Sequence, residues 1–284
     1  MPRAAIFMSG SGSNAEVLLK LSADGRAPEY DIAAIVTDNP EKSRTRELAH
    51  LYRIPLVECS IRDFYNANGE KRVSLANENC RRIRREWTEL LLSKLVDFEL
   101  DFGIFAGFVP LCDITEAFPC LNVHPGDLTV TDAAGRRILV GLNTVPVERA
   151  ILAGLTSLRS SVMVTEPLAA DSSNVDAGPI LGVSAPLAID FRGMDSDRLR
   201  LIAAARPDKK PVGGFGDELE ALAAFNQERL KYAGDHVVLP RTAAYFARGL
   251  YEMDGEQLMY RSRSGFIPIK TIEFSPDGGE RVIE

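Results

Sequence analysis

Between residues 4 and 59 one pattern repeats, and it limits the possible folds more than any other feature. AAIFM (4–8) is a short apolar run, SGSGSN (9–14) a turn, and AEVLLKLSA (15–23) has apolar residues at helical spacing. DIAAIVTD (31–38), KSRTRELAHLYR (42–53) and IPLVEC (54–59) continue it as strand, amphipathic helix and strand. Strands joined through helices cannot form hairpins. They pair in parallel, and the crossover helices cover both faces of the sheet.

Further along, residues from about 71 to 96 read as a long charged helix, and FGIFAGF (102–108) and CLNV (120–123) as buried strands. A helix near 145–154 and strands at SSVMVTE (160–166) and PILGVSAPL (179–187) follow. RPDKKPVGGFGDE (206–218), rich in Pro, Gly and charge, interrupts the alternation. A helical pattern then runs to Gly249, and QLMYRSRSGFIPIKTIEF (257–274) reads as a hairpin. The expected fold is α/β and Rossmann-like: a mostly parallel twisted sheet with helices on both faces, plus a C-terminal helix and hairpin. The expected organisation is a core over 1–190, an insertion or flexible loop over 191–227, and a C-terminal helix and hairpin over 228–284 that pack on the core.

Composition narrows the function classes. A net charge of −7 gives no basic footprint for nucleic acid. The one basic cluster, CRRIRREW (80–87), reads as a solvated helix face. No apolar run approaches a membrane span, and the N-terminus reads as a first strand and not a signal peptide, so a cytoplasmic protein is expected. Cys59, Cys80, Cys112 and Cys120 have no CxxC spacing, so reduced thiols are expected, with no disulfide scaffold and no metal.

Three constellations carry possible chemistry. Gly10–Ser11–Gly12–Ser13–Asn14 lies between a strand and a helix, where glycines allow close backbone approach and the helix N-terminus favours an anion. With Ala15 it loosely matches a dinucleotide fingerprint, with Asp38 ending the second strand; the plainer alternative is a tight turn. In CLNVHPGDLTV (120–130), Asn122 and His124 are two residues apart and share one side of a strand that is ending. An amide beside an imidazole suits a developing oxyanion and a moving proton; the alternative is a hydrogen-bonded structural histidine. In NVDAGP (174–179), Asp176 precedes a strand, where it either acts chemically or only caps the backbone.

In this order, GSGSN, AGF, NVHP and DAGPI resemble the 10-formyltetrahydrofolate-dependent formyltransferases, most closely the phosphoribosylglycinamide (glycinamide ribonucleotide) formyltransferase branch of purine synthesis. The resemblance covers roughly residues 3–190 and resumes near 228–250 at RLKYAGDHVVLP. It implies transfer of a formyl group from 10-formyltetrahydrofolate, as co-substrate, to an amine, without a metal. Asn122, His124 and Asp176 are the implied catalytic residues. His124 and Asn122 would meet the formyl oxygen, and Asp176 would hold a water, shuttle protons and support the imidazolium. Gly12, Ser13, Asn14 and Asp235 are the implied phosphate-side residues. Val109, Pro110, Leu111 and Cys112, with Asn122, are the implied folate residues. Small-molecule substrates, a monomer or homodimer, and neither nucleic acid nor membrane complete the expectation.

The chain also departs from the family. Pro110 stands where an arginine is common, and Met163 where an assisting histidine is common. GDLTVTDAAGRR (126–137) replaces an apolar, proline-containing run, and the 192–226 segment is atypical. Competing expectations are a different acceptor such as an amino sugar nucleotide, a nicotinamide-dependent dehydrogenase, and an inactive homologue with a regulatory role.

Overall fold

The computed structural model describes residues 1–26, 29–167, 175–211 and 213–284. The chain forms two compact units. The first comprises 1–123, 164–179 and 242–251, and the second 124–163, 180–241 and 252–284.

The first unit carries the repeating pattern of the sequence. Its elements are β1 (Arg3–Phe7), α1 (Ser13–Ala23), β2 (Asp31–Thr37), α2 (Thr45–Tyr52), β3 (Leu56–Glu58), α3 (Ile61–Ala67), α4 (Glu78–Ser93), β4 (Phe102–Phe105) and β5 (Cys120–His124), whose last residue opens the second unit. The strands lie in the order β5-β4-β1-β2-β3, and every neighbouring pair is parallel. Alternate residues of β1 face opposite ways, yet Ala4, Ala5, Ile6 and Phe7 are all buried, as a sheet covered on both faces requires. One face packs Ala5, Phe7, Ala34 and Val36 with Tyr65 of α3 and Ile83, Trp87 and Leu91 of α4.

The long helix expected from about 71 begins later. Asn77 caps α4 by accepting from the Cys80 N–H at 2.8 Å, and this local hydrogen bond stops the helix from extending toward residue 71. The basic cluster on α4 is only partly a solvated face. Arg81, Arg82 and Arg85 are exposed, whereas Arg84 is buried.

The second unit contains α5 (Val145–Leu152), β6 (Ser157–Leu158), most of β7 (Ser161–Thr165), β8 (Ile180–Ser184), β9 (Leu187–Ala188), α6 (Ser196–Ala204), α7 (Glu218–Leu230), a π-helical turn (Lys231–Asp235) and the start of α8 (His236–Ala247). After α8 come β10 (Tyr251–Asp254), β11 (Gln257–Ser262), β12 (Gly265–Pro268), β13 (Thr271–Phe274) and β14 (Glu280–Ile283). The strand order is β14-β13-β8-β7, with β13 parallel to β8 and the other two pairings antiparallel. The expected C-terminal hairpin is β11–β12.

Residues 191–227 hold two helix segments where the sequence suggested an insertion or loop. Leu199 of α6 and Leu219, Leu222 and Ala223 of α7 are buried against Val147, Ala150 and Ile151 of α5. Pro207, Pro211 and the glycines mark only the connection between α6 and α7. Arg206 holds that connection. It donates to Glu148 Oε2 at 2.5 Å and to both Asp217 oxygens at 2.7 Å, with its guanidinium 4.0 Å from the Phe215 ring centre. Arg206→Met leaves the buried Glu148 carboxylate without its cation, and we expect a loss of about 3 kcal/mol in urea unfolding. The Arg206 hydrogen bond holds the Asp217 carboxyl below its ordinary value. Its contribution is therefore complete above that ordinary value and lost as pH falls through the lowered one.

Candidate functional site

The register of the first unit levels two strand ends with a residue of a third. Phe7 lies opposite Phe105, and Phe105 opposite Asn122, so β1 and β4 end level with Asn122 of β5, which continues to His124, at the carboxyl edge of a parallel sheet. That edge is where open α/β sheets bind ligands. Two loops leaving it are tied to each other. The Ser9 N–H donates to Gly107 O at 3.1 Å, and the Val109 N–H donates to Ser9 Oγ at 2.9 Å. Ser9 Oγ in turn donates to Asp38 Oδ1.

Asp38 is therefore a buried anchor of these loops. Burial pushes its carboxyl up, and the Ser9 hydrogen bond opposes the rise. A dinucleotide site uses the acid at this strand end on a ribose hydroxyl. Here Ser9 takes that place, so the dehydrogenase expectation loses one of its two supports.

Gly12 is required for two separate reasons. Its φ of 69° is left-handed, and a Cβ there would stand 2.4 Å from Met8 Cε and 2.9 Å from Leu48 Cδ1. Its carbonyl accepts from the Glu16 N–H at 2.8 Å and starts α1. Ser13 and Asn14 therefore stand in the first turn of α1, and a helix N-terminus is suited to an anion. Arg44, which the sequence pattern placed simply in an amphipathic segment, braces the turn. Its N–H donates to Gly10 O at 3.1 Å and its Nη1 to Ser11 O at 3.2 Å, while Glu16 and Glu47 take up its charge.

In the second loop Val109 is exposed, Pro110 and Leu111 are half-buried, and Cys112 is buried. Burial pushes the Cys112 thiol up to about 12, which removes it as a nucleophile. Arg84 reaches this loop from α4, donating from Nη1 to Leu111 O with its guanidinium 5.6 Å from the Tyr65 ring centre. Only tertiary packing reveals this contact, because Arg84 is 27 residues from Leu111 along the chain.

At the end of β5, Asn122 is half-buried and His124 is 3% exposed. His124 Nε2 lies 2.7 Å from Leu139 O. A Cβ on Gly126 would fall 2.6 Å from that same oxygen and 3.0 Å from Nε2. Asp176 takes a left-handed conformation, φ 61°, in the turn before β8, while Asn174 lies outside the described residues. Gly178 admits this turn against β7: a Cβ there would lie 1.8 Å from Val164 O, and the Val164 N–H donates to Pro179 O at 3.1 Å. Asp235 closes the π-helical turn. It is buried and accepts from Ser160 Oγ. Met163 is buried with Leu128, Ile180 and Val183, so that position is apolar packing.

Among the described residues no group of His, Cys, Asp and Glu side chains is arranged to hold a metal ion, and no helix is long and apolar enough to cross a membrane.

No protein-family model matches the chain, and no curated protein matches its sequence. Solved structures do match. Glycinamide ribonucleotide transformylase 1 from Symbiobacterium toebii is 19% identical with a TM-score of 0.57, over 91% of this chain and 93% of that one. Phosphoribosylglycinamide formyltransferase from Anaplasma phagocytophilum is 20% identical with a TM-score of 0.56, over 92% and 95%. A formyltetrahydrofolate deformylase from Pseudomonas syringae is 13% identical with a TM-score of 0.60, over 91% of this chain and 65% of that one. With its mostly parallel α/β sheet and its loops at the carboxyl edge, the chain has the fold of these formyl-handling enzymes.

Proposed function

We propose that this protein transfers a formyl group from 10-formyltetrahydrofolate to the amine of a phosphorylated small molecule, with glycinamide ribonucleotide as the first candidate. One observation carries this proposal: in the first unit the glycine turn and the 109–112 loop follow β1 and β4, which end level with Asn122 of β5 at the same carboxyl edge. A phosphate cradle, a folate loop and an amide donor are the parts this transfer needs.

The chemistry is an exchange of amines on one carbonyl. The acceptor nitrogen attacks the formyl carbon, and the C=O electron pair moves onto oxygen. The tetrahedral species then collapses and breaks the bond to folate N10. The proton lost by the acceptor nitrogen is the proton N10 gains, so no oxidant or metal enters the balance. Asn122 and His124 are assigned to the oxygen and the proton, Asp176 to the water that relays the proton, and Gly12, Ser13 and Asn14 to the phosphate.

The test is transfer from 10-formyltetrahydrofolate to a panel of amines: glycinamide ribonucleotide, its unphosphorylated riboside and an amino sugar nucleotide. Transfer to none of them, together with binding of a nicotinamide dinucleotide, refutes the proposal. Asp176→Asn separates roles within it. We expect kcat to fall about 10²-fold with KM little changed, as for a group acting on the proton in the transition state. A rise in KM alone makes Asp176 a binding residue.

A further inference from the structure

We infer that the Leu139 carbonyl, admitted by Gly126 and held by Arg149, is a positioning group that fixes the proton of His124 on Nε2 and directs its chemistry through Nδ1. This rests on the proposed function, because it names the working atom of the same residue.

The geometry lies wholly within the second unit. A carbonyl oxygen only accepts, so the 2.7 Å contact between Leu139 O and His124 Nε2 places a proton on Nε2. In neutral imidazole the lone pair is then on Nδ1, the atom that can take a proton from an attacking amine and carry it as imidazolium.

Three features hold the carbonyl there. The Leu139 side chain is 1% exposed and packs with Val147, Ala150 and Ile151 of α5, which fixes its depth. Arg149 of α5 donates from Nη1 to Val140 O at 2.8 Å and to Ile138 O at 3.4 Å, gripping the carbonyls on either side of residue 139. The Ile138 N–H donates to Val130 O at 3.3 Å, which ties the segment into a return of the chain closed by the Thr131–Arg137 bridge. Gly126 then supplies the space. With any Cβ at this position, 2.6 Å from Leu139 O and 3.0 Å from Nε2, carbonyl and ring would have to move apart. Gly126 and the Thr131–Arg137 bridge lie within residues 126–137, the stretch where the sequence departs from the formyltransferase pattern.

The experiment is ¹⁵N NMR of ¹⁵N-histidine-labelled protein, in which His124 is one of three histidines. Couplings from the ring nitrogens to the ring protons report which nitrogen carries the proton. We expect the wild-type ring, when neutral, in the Nε2–H form. Gly126→Ala should convert it to a mixture of forms and lower formyl-transfer kcat about 10²-fold with KM little changed, as a small misplacement does. Arg149 is exposed, so Arg149→Met keeps the fold and should show the same change to a lesser degree, with Arg149→Lys restoring it. A wild-type neutral ring in the Nδ1–H form overturns the inference whatever the assay shows. So does an unchanged tautomer and kcat in both Gly126→Ala and Arg149→Met. Absence of transfer by a wild type whose ring is in the Nε2–H form overturns the proposed function instead, and with it the catalytic purpose of the positioning.

Discussion

His124→Ala should lower formyl-transfer kcat by about 10²–10³-fold while the protein stays folded. That range is typical for the loss of one group that stabilises a developing oxyanion. His124 is 3% exposed at the end of β5, and the loss should fall on kcat because the proposed function assigns the ring to the proton and the oxygen and not to substrate affinity. The substitution also leaves the Leu139 carbonyl without its Nε2 donor, which costs about 1–3 kcal/mol of stability. A urea melt measures this cost and separates it from the kinetic effect. A folded mutant that turns over at the wild-type rate makes His124 a structural histidine, the plainer alternative its sequence context allowed.

Gly12→Val should be severe in a different way. The added side chain meets Met8 and Leu48, so it pushes into the packed side of the turn, and it sits at a left-handed φ. Strain and overpacking together cost about 2–5 kcal/mol, so the variant unfolds early and its kinetics report little about phosphate. Gly10→Ala is the cleaner probe. A Cβ there meets nothing within 4 Å, so stability should change by less than about 0.5 kcal/mol. If the start of α1 holds phosphate, inorganic phosphate should raise the Tm of the wild type by mass action, and less so in Gly10→Ala. KM for a phosphorylated acceptor should rise in that variant, with KM for the folate unchanged. An unphosphorylated acceptor used equally well by both proteins would exclude the ribonucleotide assignment and leave the chemistry at His124 intact.

Much of the first unit could be deduced from the sequence because its signals are local. The continuous apolar runs of β1, β2, β4 and β5, the 3.6-residue spacing of α1 and the turn before it depend only on neighbouring residues and on the backbone freedom of glycine. The order of GSGSN, NVHP and DAGPI pointed to the fold that the solved structures share. Local signals misled where a side chain's partner was distant. The basic run on α4 gave no sign that Arg84 turns inward to Leu111 O, nor did Asp38 show that Ser9 would occupy it. The glycines and prolines between 206 and 217 suggested a loop because turn composition is strong locally, while the burial of Leu199 and Leu219 against α5 depends on contacts far away in sequence.

The sequence alone determined which residue types are available for the chemistry and the strand end that carries Asn122 and His124. Tertiary structure decided that His124 Nε2 meets the Leu139 carbonyl, because that contact joins positions 15 residues apart, and a carbonyl has no residue code. It also decided on which side of Gly12 a side chain would collide, because the crowding atoms belong to Met8 and to Leu48 of another helix. Backbone periodicity is written into each short stretch of chain. The hydrogen-bond partner of a buried polar atom is fixed only when distant segments pack.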